Sequence, residues 1–351
     1  MSSEVLHYEH VIIGGGIAGL SAAIRLTELG AIPLVIESGN YPSQKICGEF
    51  FSPECVKFLK NWNVHPLEIT QARFHLLSES LHFKLPFPAG SLSHFVGDLQ
   101  LKMLAEKRGA TVLVDTKVLK VKPRAPLHEI ELSNGSIVRS VNLIIATGRI
   151  PDYDLALKMR YAGIKANFSG PPIQNALEMF VSDGAYVGIS PVGDGQYNVA
   201  CLADIRLLTQ MGSAEAAMQK VIARHPLLEK VLGNLTCLLN GWMSTVLPEF
   251  GIRKTPSWPN VYFIGDAAGT IPPITGQGLS MGMQSGIMAA EYASYRNAKG
   301  FKAAWRKKFA SSIYWGKLLH HAAMRPKLCV PVIKLAKHYP LFARGIYRLT
   351  R

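Results

Sequence analysis

The sequence predicts an α/β protein: a nucleotide-binding domain, a β-sheet-rich domain inserted into it, and a C-terminal helical tail. Three observations carry that reading. Near the start, the apolar run His10-Val11-Ile12-Ile13 enters Gly14-Gly15-Gly16-Ile17-Ala18-Gly19, and a helix-like stretch follows to Gly30. Between about Ile164 and Val246 the pattern changes to longer strands separated by turns. From Phe301 to Arg351 basic residues interleave with large apolar ones, and no acid occurs.

The first glycines have separate tasks. Gly14 permits the tight turn out of the strand, Gly16 leaves backbone N–H groups bare for a phosphate, and Gly19 lets the helix pack closely on the sheet. A pyrophosphate then sits at the positive end of the helix beginning near Gly16. Ile32-Pro33-Leu34-Val35-Ile36 reads as the next strand, with Pro33 at an early or edge position. It ends at Glu37, which can accept ribose hydroxyls and argues against a 2′-phosphate. This is a Rossmann-like, three-layer ββα pattern.

A loop from Ser38 to Gln44 leads to Lys45-Ile46-Cys47-Gly48-Glu49, and Ser52-Pro53-Glu54 opens a helix through Trp62. Arg73 to Phe87 reads as short β segments and Val96 to Arg108 as a helix. Thr111 to Val114 and Val141 to Ile145 read as buried strands, Asn134-Gly135 marks a hairpin, and a helix is expected near Ser213 to Arg224. After Pro259 the chain returns to the nucleotide domain. The resulting division is 1–72, 91–163 and 247–300 for the nucleotide domain, 73–90 and 164–246 for the substrate domain, and 301–351 for the tail.

A second glycine cluster completes the pattern. Val261-Tyr262-Phe263-Ile264 runs into Gly265-Asp266-Ala267-Ala268-Gly269, which puts a carboxylate where a polyol can be gripped. Gly276-Gln277-Gly278-Leu279 then precedes a helix-like run to Tyr292, whose first turn aims free N–H groups and a positive dipole end forward. Diphosphate at one motif and polyol and ring at the other fit flavin adenine dinucleotide (FAD). A dipole against the N1–C2=O edge stabilises the anionic reduced ring.

The five cysteines, Cys47, Cys55, Cys201, Cys237 and Cys329, have no metal-ligand or disulfide spacing, which fits a reducing compartment and no metal. No secretory signal and no apolar stretch of spanning length is visible, so a cytoplasmic location is expected. The net charge of +14 sits in the tail: its twelve basic residues, taken from 38, leave 26 against 24 acidic ones in the first 300. With Trp305, Tyr314, Trp315, Tyr339 and Tyr347 interleaved, two readings stand. The tail is either a helix in the interface of an anionic membrane, on its inner face, or a helical cap with solvated lysines. Nucleic-acid binding is set aside for want of a recognition motif.

These residues resemble the FAD-dependent oxidoreductases of the para-hydroxybenzoate hydroxylase fold, and among them the geranylgeranyl reductase branch. The matching stretches are Gly14 to Gly19, Lys45-Ile46-Cys47-Gly48, Gly184-Ala185-Tyr186-Val187-Gly188-Ile189-Ser190-Pro191 with Gly195, Gly265 to Gly269, and Gly276-Gln277-Gly278. The likeness spans roughly residues 5 to 295. It implies that Asp266 binds the ribityl chain, Gly278 and Leu279 the pyrimidine edge, and Lys45 to Gly48 the isoalloxazine. Expected cofactor contacts are Gly14, Gly16, Ile17, Ala18, Gly19, Glu37, Ser38, Lys45, Cys47, Gly48, Val118, Thr147, Gly148, Gly265, Asp266, Gly276, Gly278 and Leu279; expected substrate contacts are Tyr186, Ser190 and Pro191.

The sequence departs from the family at several points. Gly188 and Ser190 stand where an aromatic is usual, Gly48-Glu49 replaces a double glycine, and an arginine near Gly97 is missing. Ala146-Thr147-Gly148-Arg149-Ile150-Pro151 resembles the disulfide-reductase class instead, but no second GxGxxG follows, and that class is set aside. The halogenases' Trp-x-Trp-x-Ile-Pro is also absent.

Two chemistries fit this scaffold: hydride transfer to an alkene of a prenyl or other lipid chain, and hydroxylation of a phenolic or polyketide-like ring using oxygen. The basic apolar tail favours the first. Cys47 and Glu49 are the candidate proton donors, with Cys47 as a small buried hydrophobe the bland alternative. A non-catalytic FAD-bound sensor or membrane scaffold is a third class. The electron donor is NAD(P)H bound transiently, a ferredoxin or a reduced flavin.

Overall fold

The computed structural model describes residues 5–149, 157–171, 175–339 and 345. Ile150 and Pro151, and Arg344, Tyr347, Arg348 and Arg351 of the tail, lie outside them. The first sheet has seven strands. Thr111–Leu113, Leu34–Ile36, Val5–Ile13, Ile137–Ile145 and Val261–Phe263 run parallel, with Ile12 beside Val35 on one side and Ile144 on the other. The hairpin at Asn134-Gly135 turns back into His128–Leu132, which pairs with Val118–Lys122, and Gly135 has φ +87°. The ends of the parallel strands at Val11-Ile12-Ile13, Leu34-Val35-Ile36 and Leu143-Ile144-Ile145 are buried and apolar because both faces are covered there.

Helix α1 (Ile17–Glu28) covers one face and buries Leu20, Ala22, Ala23, Ile24 and Leu26 completely. It begins directly after Gly16 with no side-chain cap. Helices α2 (Pro53–Asn61) and α3 (His94–Lys107) follow, the first opened by Pro53 and the second capped by Ser93, whose hydroxyl accepts from the Phe95 N–H at 3.2 Å.

The second sheet has nine strands, in the order Thr236–Cys237, Met159–Ser169, Gln196–Asp204, Ala185–Gly193, Ala176–Ser182, Leu67–His75, Ser80–Ser91 and Phe50–Phe51, with Met243–Pro248 also on Met159–Ser169. The boundaries read at 73, 91, 164 and 247 each fall inside a strand, Leu67–His75, Ser80–Ser91, Met159–Ser169 and Met243–Pro248, because these strands run past the points where the composition changes. The expected helix near 213–224 is α5 (Ala214–Ala223), with Ser213 Oγ accepting from Ala216 N at 3.1 Å. It is flanked by two helices the periodicity did not reveal, α4 (Ile205–Met211) and α6 (Pro226–Leu232), each too short for a full apolar stripe.

Helix α7 (Gly278–Ser294) returns to the first sheet and crosses α1 at Gly286, where an added Cβ would stand 2.2 Å from the Ala18 carbonyl oxygen. The tail forms α8 (Ala298–Ala323) and α9 (Pro326–His338). Phe301, Trp305, Phe309, Ile313, Gly316, His320 and Ala323 recur at helical spacing and are buried against the body, so α8 caps the fold. None of the described helices is long and apolar enough to cross a membrane.

Candidate flavin and substrate site

The carboxyl ends of four parallel strands open into one cavity of about 1100 Å³, lined there by Ile13, Ile36, Ile145 and Ile264 with the residues that follow them. Two helix N-termini reach the same space. Gly16 before α1 and Gln277 before α7 offer no side-chain cap, so the first-turn N–H groups of both helices stay available to an anion or a carbonyl. Gly14 turns the chain at φ +104°, and Gly276 sits in the left-handed region at φ +65°. A Cβ at Gly278 would meet nothing within 4 Å, which leaves a bare approach at the head of α7. One uncapped helix start suits a diphosphate and the other a ring edge, so the cavity fits FAD.

Glu37 lines this cavity and holds its loop. Its two carboxylate oxygens accept from Gly15 N at 2.6 Å and Gly39 N at 2.8 Å. Asp266 is half-buried with Arg149 Nε at 3.4 Å; burial pushes its carboxyl above the ordinary value, opposed by Arg149 and Arg253.

A second cavity, of about 260 Å³, joins the first along Ile46, Cys47, Gly48, Phe50, Arg149, Leu247, Pro273 and Gly276. Its walls are almost wholly apolar: Phe74, Leu81, Phe83 and Leu177 from one side of the large sheet, and Met179, Tyr186, Gly188 and Leu202 from its middle. Leu319 and Ala323 of α8 and Val332, Ile333 and Ala336 of α9 form the roof.

The loop 45–49 at the junction is fixed from four directions. Asn198 Nδ2 donates to Cys47 O at 2.8 Å and Arg149 Nη2 to Ile46 O at 2.9 Å. Lys165 Nζ reaches Glu49 Oε1 at 2.6 Å, both side chains fully buried, and His94 N donates to the same oxygen at 2.9 Å. Lys45 Nζ pairs with Asp98 Oδ2 at 2.6 Å, and His94 Nδ1 lies 3.0 Å from Asp98 Oδ1.

A family profile described as pyridine nucleotide-disulphide oxidoreductase matches residues 11–170, which hold the first glycine motif, Gly14 to Gly19. The menaquinone reductase of Mycolicibacterium smegmatis is 26% identical over 84% of this chain and 78% of its own length. The digeranylgeranylglycerophospholipid reductase of Thermoplasma volcanium is 26% identical over 81% of this chain and 77% of its own. Among solved structures, the flavin-dependent brominase Bmp2 superposes with a TM-score of 0.83 at 18% identity, covering 98% of this chain and 93% of that one. The chain is an FAD-dependent oxidoreductase. The profile match ends at residue 170, and the flavoenzyme has neither a second dinucleotide fingerprint nor a Cys-x-x-Cys pair.

In this FAD-dependent oxidoreductase, the expected cofactor contacts Gly14, Gly16, Ile17, Ala18, Glu37, Ser38, Lys45, Cys47, Gly48, Val118, Thr147, Gly148, Gly265, Asp266, Gly276, Gly278 and Leu279 all line the large cavity. Gly19 does not. It is a packing residue, since a Cβ there would stand 1.9 Å from Gly14 O. Tyr186 lines the apolar cavity; burial holds its phenol well above the usual range, so it is a neutral wall. Ser190 and Pro191 line neither cavity. Ser190 is fully buried and shares a hydrogen bond of 2.8 Å with Ser91, which ties two strands together. Glu49 borders the large cavity, but its pairing with Lys165 makes it a structural anion, a correction to its reading as a proton donor.

Sequence reasoning missed His94, Asp98 and Lys165. A histidine and an aspartate four residues apart on a helix share a face, which was a readable signal. Lys165 inside the apolar strand Ala162-Gly163-Ile164-Lys165-Ala166 was another. Asp98, next to Gly97 where the arginine is missing, pairs with Lys45.

Proposed function

We propose that this flavoenzyme reduces carbon–carbon double bonds of a prenyl or other lipid-like substrate. The observation that carries the reading is the apolar cavity joined to the flavin cavity at Cys47 and Gly48. Bound FAD, once reduced, supplies hydride. The chain's own residues hold an aliphatic segment against it: Phe50, Leu177 and Leu247 exclude water, and Gly188, with no side chain, leaves width for a branched chain. A ring to be hydroxylated needs a base at a phenol. The described walls of this cavity offer only Tyr186, Thr275, Arg149 and cysteines as polar side chains. The names of the two relatives above, a menaquinone reductase and a digeranylgeranylglycerophospholipid reductase, point the same way.

The test is anaerobic. The FAD-loaded protein is photoreduced and mixed with a digeranylgeranyl phospholipid. Flavin reoxidation with a product two hydrogens heavier per bond is the expected result. A product formed only after oxygen is admitted, one oxygen heavier, would replace this reading with the hydroxylase.

We also propose that α8 and α9 rest on an anionic bilayer. Trp315 and Leu318 of α8 and Leu328, Val332, Leu335 and Tyr339 of α9 are exposed, and Lys317, Arg325, Lys327 and Lys334 stand among them in solvent. Val332 is 36% exposed and also in the cavity roof, so the patch adjoins the apolar cavity. Each basic residue near such a surface contributes about 1 kcal/mol. Reversing Lys317, Arg325, Lys327 and Lys334 to glutamate is expected to release the protein from anionic vesicles in a flotation assay, with no change toward neutral ones. Undiminished flotation of the variant would remove the proposal.

A further inference from the structure

Outside the cofactor contacts, the most concentrated set of ionisable groups borders the junction of the two cavities. Cys47 lies in the lining of both. His94, 6% exposed, lines the large cavity together with Cys47, and its Nδ1 faces Asp98 Oδ1 at 3.0 Å. Asp98, 1% exposed, holds Lys45 Nζ at 2.6 Å on its other oxygen, and Lys45 is a third exposed, so the row ends at water.

We propose that His94 and Asp98 hold Cys47 as a thiolate paired with an imidazolium, and that this pair supplies the proton for the reduction. The donor half rests on the function proposed above; the ion pair does not. With bound reduced FAD as the hydride source, the imidazolium proton would pass to Cys47, and the Cys47 S–H would give its proton to one alkene carbon while the other takes the hydride. The C=C π bond, the S–H bond and one flavin N–H bond would break, and two C–H bonds would form. The flavin is oxidised and the alkene reduced by two electrons. Cys47 is left as thiolate and His94 neutral, with its remaining proton on Nδ1 toward Asp98, and one proton from solvent restores the imidazolium. Cys47 is the catalytic residue; His94 and Asp98 act through it.

The charges around Cys47 favour this state. Burial raises the thiol, but the hydrogen bond and charge of His94 outweigh it and leave it below the ordinary thiol value. Burial lowers His94, and Asp98 and Cys47 together raise it to about 10. Facing the pair from the other elements are Lys45 and Glu49 of its own loop, Lys165 of strand Met159–Ser169 and Arg149 after Ile137–Ile145. The charge of Glu49 opposes the thiolate, and Glu49 is itself paired with Lys165 at 2.6 Å.

The test reads the thiol directly in the FAD-loaded protein. Iodoacetamide labelling of the Cys47 peptide is followed by mass spectrometry from acid to alkaline pH. An ordinary thiol, with pKa about 8.5, is only about 3% thiolate at pH 7, and the lower intrinsic reactivity of an acidic thiolate offsets part of the gain. The wild type is expected to label about tenfold faster at pH 7 than His94→Gln, with the midpoint moving up in His94→Gln and, by less, in Asp98→Asn. Retained flavin absorbance shows that each variant is folded. A wild-type Cys47 that labels only above pH 8, or not at all, or a midpoint unmoved in both variants, overturns the ion pair. If the midpoint moves but no lipid is reduced, the ion pair stands and the reductase reading fails. A working relay also makes His94→Gln lower kcat with KM unchanged.

Discussion

Replacing Lys165 with methionine lowers the unfolding free energy by about 3–5 kcal/mol, the usual cost of leaving one member of a buried ion pair alone. Lys165 and Glu49 are both fully buried and 2.6 Å apart, and no water shell can take over from the missing ammonium. Glu49 Oε1 would keep only the His94 N–H, and Oε2 has no hydrogen-bond partner to begin with. Glu49 also sits at φ +54°, a conformation L-residues rarely adopt, so the loop it belongs to depends on this contact. The measurement is a urea titration at saturating FAD, read as a lower midpoint at constant slope. The double variant Lys165→Met, Glu49→Gln recovers most of the loss, because a neutral amide no longer needs a counter-ion. An unshifted midpoint in the single variant would mean that water enters between the two groups in solution.

Gly14→Ala is expected to yield a colourless protein, with FAD affinity reduced at least about 100-fold, or about 2.7 kcal/mol. Two effects act together. The backbone at φ +104° disfavours any side chain, and the new Cβ would stand 2.3 Å from the Ala146 carbonyl oxygen and 2.8 Å from its carbon. The strands carrying Gly14 and Ala146 must separate, and the start of α1 moves with them. Flavin absorbance and titration with added FAD check this. A yellow variant with unchanged affinity would show that the turn after Ile13 does not set the diphosphate position.

The legible parts of this molecule were local. Gly14 to Gly19, Glu37 and Gly265-Asp266 each declare a strand end and a turn within a few residues, and strand ends in a parallel sheet converge on one edge whatever connects them. The cavity then follows from the topology. What joins residues across the chain left weaker traces. Lys165 and Glu49 are 116 positions apart, and nothing around either names the other. Cys47 was visible as a cysteine beside glycine, but its chemistry belongs to α3, where the His94 and Asp98 spacing marks a shared face without saying what it faces. Ser190 reads as a site residue from its strand, yet it is spent on Ser91 at the sheet's edge. In the tail, the spacing of Phe301, Trp305 and Phe309 shows a buried stripe. Only the folded chain shows that α8 and α9 cover both the nucleotide sheet and the apolar walls.

That double cover separates two kinds of variation. The cavity's far boundary is drawn by α9 through Val332, Ile333 and Ala336, while every residue that borders the flavin space lies earlier in the chain, at or before Gly282. Bulkier or smaller residues on that last helix shrink or enlarge the apolar cavity and leave the redox centre as it is. The size of that room can therefore change without any change at the flavin space.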